Sequence, residues 1–242
     1  MGGAPAVLGR RDAAALVGLL AALILYDAGA GRLAEVSDSW DVAFVAAVLI
    51  PATFATVWLA LPLARAHGLL PVAAALGVLA ALLSLAGLGA FFNVAKLAAL
   101  VLLGFWFLRL FEALSWVALV AVIVPWVDAI SVWRGPTEYV VSEQPGLFDR
   151  VSIGFRIPGE DSSANLGPPD VLFFALFLAT AARFGLRARW TWLAMTGLLS
   201  LTLAAAVAFD IAGLPALPAI CVGFLAPNAD LLWRRLRARD RG

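Results

Sequence analysis

Apolar runs close to the length of a bilayer crossing recur along almost the whole chain. They can be cut at about 13–30, 42–64, 69–90, 92–111, 113–133, 168–187, 189–209 and 213–233. A hydrocarbon core of roughly 30 Å takes about 20 residues of α-helix. Inside that core every backbone N–H and C=O must be paired within the protein, so spanning segments are helices or closed barrels. Runs of this length select helices. The expected fold is therefore all-α, a polytopic membrane protein with about eight transmembrane helices. Composition agrees: 63% of the residues are hydrophobic and only 14% are charged, against about 45–50% and about 25% in soluble domains.

Several function classes fall away at once. The net charge is +1, and no basic patch interleaved with aromatics suggests nucleic acid. Cys221 is the one cysteine and His67 the one histidine. The chain thus has no disulfide framework, no cysteine-rich metal site, no HExxH zinc motif and no intramembrane serine–histidine dyad. No metal or cofactor is expected. His67 sits in the connector LARAHGLL and reads as interfacial. The first run, which follows Arg10-Arg11 and ends in small residues, also has the shape of a signal peptide. No internal repeat is evident, so an inverted-repeat transporter is not suggested.

Polar residues divide the chain into an N-terminal four-helix scaffold, 1–112, and a region 113–242 that carries the chemistry. The cut between the third and fourth runs is soft, with only Asn93 and Lys96 interrupting it. The long polar stretch is 134–167, whose segment VSIGFRI reads as a single strand. Basic residues set the topology. With the N-terminus inside and eight spans, twelve arginines face inward, while Arg32, Lys96, Arg134, Arg150 and Arg156 lie outside. Both termini are then cytoplasmic, the loop 134–167 is external, and the protein is expected in the plasma membrane.

Acids within spans are functional by default. Asp27 and Asp210 close apolar runs and read as interfacial carboxylates reaching water. Asp128, in ALVAVIVPWVDAISVW, has apolar neighbours for more than a turn on both sides. Asp170 follows LGPP. Prolines fit the first turn of a helix, and an acid there is favoured by the helix dipole, so GPPD is by itself a sound helix opening. At 1.5 Å per residue, Asp128 lies about 9 Å below the loop boundary. Asp170 reaches the same depth if its helix starts within a recess. Two carboxylates brought together cannot both ionise readily, and they share a proton. The ionised member can then activate water while the protonated one polarises a peptide carbonyl. At similar depth, GLPALPAI opens the last span with two prolines three apart, leaving backbone groups available to an unwound peptide.

An aspartate late in one span, G-x-x-D opening the next, and a PAL motif in the last span resemble the presenilin and signal peptide peptidase family of intramembrane aspartyl proteases. VDAISVWRGPTEYVV, with its pair Gly135-Pro136, and LGPPDVLFFALFLATAARF are similar to that family's segments around its two aspartates. The resemblance covers about 105–235. It implies a presenilin-like fold lacking one N-terminal span. It further implies Asp128 and Asp170 as the catalytic pair, with Gly167, Pro215, Ala216 and Leu217 shaping the site and binding substrate. The substrates implied are transmembrane peptides or membrane proteins within the lipid bilayer. The external loop matches the signal peptide peptidase arrangement, which implies type II anchors or leftover signal peptides. Two positions depart from the family pattern: Val127 replaces a tyrosine, and Pro169 replaces the glycine of GxGD. Prepilin peptidase is a rival, but Leu172 stands where that family has lysine, and it carries no PAL. A different class of reading is a non-proteolytic scaffold or proton-coupled carrier using the same two acids.

Overall fold

A computed structural model describes residues 8–35, 37–134, 151–159, 163–209, 211 and 215–239. The helices are α1 (Arg10–Gly29), α2 (Asp38–Phe44), α3 (Ile50–Ala60), α4 (Leu69–Leu85), α5 (Gly89–Phe107), α6 (Leu114–Arg134), α7 (Pro168–Arg183), α8 (Ala188–Ala208), α9 (Leu217–Leu225) and α10 (Ala229–Arg239). A π turn, Val45–Leu49, joins α2 to α3. Two short strands, β1 (Ile153–Arg156) and β2 (Ser163–Leu166), pair antiparallel with Ile153 opposite Leu166. Each of the eight apolar runs thus carries helix. Among the described residues, five helical stretches are long and apolar enough to cross a membrane: Arg10–Arg32, Asp38–Arg65, Gly89–Leu110, Leu114–Val132 and Ala188–Ala208. The α4 helix is apolar but shorter.

At the centre stands α7, buried on nearly every side from Val171 to Ala181. Its 16 residues span about 24 Å, less than the hydrocarbon thickness. Around it lie α5, α8 and α9, with α6 packed mainly on α9. Lipid tails are as apolar as leucine, so association here depends on close packing rather than on hydrophobic burial. The contacts fit that rule. Phe54 stacks on Phe174 with ring centroids 3.9 Å apart, and Phe177 stacks on Phe224 at 4.8 Å. A Cβ on Gly104 would come within 2.5 Å of the Leu172 carbonyl oxygen, so α5 touches α7 backbone to backbone. The core is continuous across the 112/113 division.

Backbone groups released by irregular turns are taken up by side chains. The π turn widens the helix just before Pro51, which has no N–H to give. Ser200 donates to the Ala46 carbonyl at 2.6 Å, and Trp192 Nε1 to the Phe54 carbonyl at 2.8 Å. At the opposite end, buried Asn228 accepts from the Arg187 N–H and donates to Thr191 Oγ1 and the Phe224 carbonyl. A half-satisfied amide there would be costly; this one is well paired.

The turn between the third and fourth runs does not fall at Asn93 and Lys96. It falls at Gly87, which takes φ +71 and closes α4 with bonds from the Gly87 and Leu88 N–H groups to Ser84 and Leu83. That is a Schellman ending, where glycine is favoured because a Cβ is strained at positive φ. Asn93 and Lys96 therefore lie within α5, and both turn toward the hairpin.

Candidate active site

Asp128 belongs to the inward stripe of α6. Val117, Ala118 and Ala121 are buried, Val124 and Asp128 are half-buried, and Leu119, Trp126, Val127 and Ile130 face outward. Spacings of three and four residues put 117, 121, 124 and 128 on one face. Val127, the departure from the family's tyrosine, lies on the opposite, exposed side.

Asp170 is the third residue of α7. Gly167 caps the helix, Pro168 and Pro169 fill its first two positions, and the Gly167 N–H donates to Asp170 Oδ2 at 3.0 Å. The prolines cost no hydrogen bond, since the first N–H groups of a helix have no internal acceptor. They fix the start of α7 and hold the carboxylate one turn from its end. Asp170 is only 8% exposed, so protein covers the carboxylate at the opening of the helix. A Cβ on Gly167 would lie 3.0 Å from Asp170 Oδ2 and would press on the carboxylate.

The PAL segment enters from the last span. Pro215 and Leu217 are buried, Ala216 is partly so, and the Leu217 N–H donates to Asp128 Oδ2 at 3.1 Å. Each carboxylate thus receives one main-chain N–H, from a different part of the chain. The two acids are in electrostatic range of one another, and Cys221, one turn beyond Leu217, is in range of both. All six expected site residues converge on the meeting of α6, α7 and α9. No cluster of three metal-ligating side chains occurs among the described residues.

The strand reading needs correction. VSIGFRI does not wait as a single strand: β1 is paired with β2, and its other edge is also occupied. Lys96 Nζ donates to the Ser152 carbonyl, Asn93 Nδ2 to the Gly154 carbonyl at 2.9 Å, and the Tyr26 hydroxyl to the Arg156 carbonyl at 2.7 Å. Residues 152, 154 and 156 alternate outward along one strand, so three side chains from α1 and α5 seal one edge. Asp27 joins them 3.9 Å from Arg156 Nε, with its side chain 14% exposed. It is a partner of the hairpin rather than a carboxylate reaching water. Asp41, outside the apolar run as cut from the sequence, is buried in the first turn of α2. Asp210 lies outside the described residues.

Tyr26, Asn93 and Lys96 were not expected at the site's border. Their signal was polarity out of place, two hydrophilic residues in an apolar run. Asn93→Leu removes the amide that clasps Gly154 and leaves that carbonyl without its donor, at a cost of about 1–3 kcal/mol. The expected result is a lower unfolding temperature in detergent and faster proteolytic nicking after Arg156, with helix content unchanged; unaltered nicking would argue against the clasp.

Comparison with protein-family models gives no match for this chain, and neither does comparison with curated proteins.

Proposed function

We propose that the chain is an intramembrane aspartic endopeptidase of the presenilin and signal peptide peptidase type. The observation that carries this reading is the Leu217 N–H bond to Asp128, with Asp170 in electrostatic range of the same carboxylate. Two aspartates, one from α6 and one from α7, lie in electrostatic range of each other, and a proline-interrupted strip lies against one of them. This is the equipment for adding water to a peptide bond. One carboxylate takes a proton from water as the oxygen attacks the carbonyl carbon. The other, protonated, donates to the carbonyl oxygen and the pair later returns a proton to the leaving amine. The titration belongs to the pair. Each Oδ2 is already oriented by a backbone N–H, and a carboxylate has room for further bonds at its other oxygen.

Substrate must reach the acids in extended form, because a helical peptide bond is screened by its own turn. Since β1 is closed on both edges, the strand left to template such a segment is β2, which runs directly into Gly167. Substrates are membrane-embedded segments; the excess of arginine on the α10 side favours type II orientation and cytoplasmic termini. A second reading has one specific support. The Asp170 carboxylate accepts the N–H of the N-cap residue Gly167, a helix-capping role that also suits a non-catalytic scaffold.

The test is cleavage of a labelled transmembrane peptide by the purified chain in proteoliposomes. Products should appear by mass spectrometry and should vanish with a transition-state aspartyl inhibitor. Intact peptide after prolonged incubation, or cleavage indifferent to the inhibitor, would reject the protease.

A further inference from the structure

Three helices end together at the face opposite the hairpin, and each brings an arginine. Arg65 closes the 3-10 turn after α3, Arg109 the turn after α5, and Arg183 the last turn of α7. Basic residues at helix C-termini are ordinary partners of the helix dipole. Two observations go further. With His67, all three arginines line one cavity of about 340 Å³, whose lining contains no acidic residue. Its other walls are apolar: Ala64, Phe105, Leu108, Ala179 and Ala182.

Charge bookkeeping decides what such a cleft favours. Three helix C-termini bring about −0.5 charge each, while three guanidinium groups bring three positive charges. The sum stays positive by more than one charge. Among the described residues, no carboxylate lies in ion-pair contact with Arg65, Arg109 or Arg183; the ion pairs involve Arg156, Arg187 and Arg234 instead. The forks are also oriented. Arg183 Nη1 donates to the Leu108 carbonyl at 3.2 Å, and Arg109 Nη2 to the Ala66 carbonyl. Each bond uses one of five N–H donors, leaving the rest for planar oxygen acceptors, which arginine binds well.

We propose that this cleft binds a phosphate group, presented by an anionic phospholipid whose glycerol and acyl stem lie on the apolar wall. The volume suits a headgroup, and basic pockets between transmembrane helices are a recurring site for such lipids. Inorganic phosphate shares the charge but has no use for Phe105, Leu108 and the three alanines. The site lies away from Asp128 and Asp170, so it stands or falls independently of proteolysis.

Native mass spectrometry of the full chain in detergent tests it, titrating dioctanoyl phosphatidylglycerol, dioctanoyl phosphatidylcholine and inorganic phosphate separately. Phosphatidylglycerol should bind saturably, one per chain, at least about tenfold tighter than phosphatidylcholine. Arg65→Gln should weaken it by about tenfold, and Arg65→Gln with Arg183→Gln further. Arg237→Gln, on α10 outside the cleft, should leave it unchanged. Equal binding of the two lipids, indifference to Arg65→Gln, or equal weakening by Arg237→Gln would overturn the site. Inorganic phosphate binding as tightly as phosphatidylglycerol would overturn the lipid as its source. Because Arg65 makes no hydrogen bond to the helices among the described residues, its variant remains informative if Arg183→Gln fails to fold.

Discussion

Asp128→Asn and Asp170→Asn should each lower cleavage of a transmembrane peptide by about 10³-fold or more, with the folded structure intact. Positioned acid–base catalysis contributes about 10²–10⁴-fold, and here one residue supplies the base and the other the acid. Asparagine is the informative replacement because it keeps a side-chain oxygen. In Asp170→Asn that oxygen can still accept the Gly167 N–H, and in Asp128→Asn it can still accept from Leu217. Unfolding temperature and helix content should therefore stay close to those of the unchanged protein. Residues acting as a unit are not additive, so the double variant should be no slower than the worse single one. Cleavage surviving in either single variant would remove the dyad. A loss of fold in Asp170→Asn with activity retained in Asp128→Asn would mark Asp170 as a capping residue only.

The largest effect on stability should come from a single methyl group. In Gly104→Ala the new Cβ meets the Leu172 carbonyl oxygen at 2.5 Å and the Ala175 Cβ at 2.9 Å. The first is backbone of the central helix and cannot rotate aside. Relief requires α5 and α7 to separate, which undoes packing along their contact. Overpacking of this kind costs about 1–3 kcal/mol and occasionally more, with the upper end expected against a main-chain atom. Gly197→Ala is the control, since nothing lies within 4 Å of its Cβ position. There the gain in helix propensity should leave stability equal or slightly higher. Thermal unfolding in one detergent compares the two. If Gly104→Ala unfolds no earlier than Gly197→Ala, the close approach of α5 to α7 is wrong.

How much of this was legible in the residues divides along physical lines. The apolar runs announced their helices because a bilayer imposes both length and backbone pairing. Asp128 was legible because a carboxylate with apolar neighbours on both sides has few inexpensive places to be. What stayed hidden depended on partners far away in sequence. Asn93 and Lys96 looked like a break in an apolar run, and only their bonds to residues 154 and 152 show why helix continues through them. The π turn at Val45–Leu49 has no local signature beyond Pro51, and Ser200 completes it from the other end of the chain. The hairpin was half seen: β1 had β-forming residues, whereas SANL has no such bias and is a strand because β1 lies beside it.

The bond from Leu217 to Asp128 has a consequence for how any mutational map of this protein should be understood. Its donor is a main-chain N–H, which every residue except proline supplies. Side-chain scanning across PAL would alter shape and packing while leaving that contact untouched. The Gly167 N–H would also survive a change of side chain, although there a new Cβ would press on the carboxylate it holds. Both aspartates are therefore held by groups that substitution cannot delete without inserting an imino acid. Because Leu217 is buried, a scan there would report lost packing, and the size of that response would say nothing about the N–H bond to Asp128.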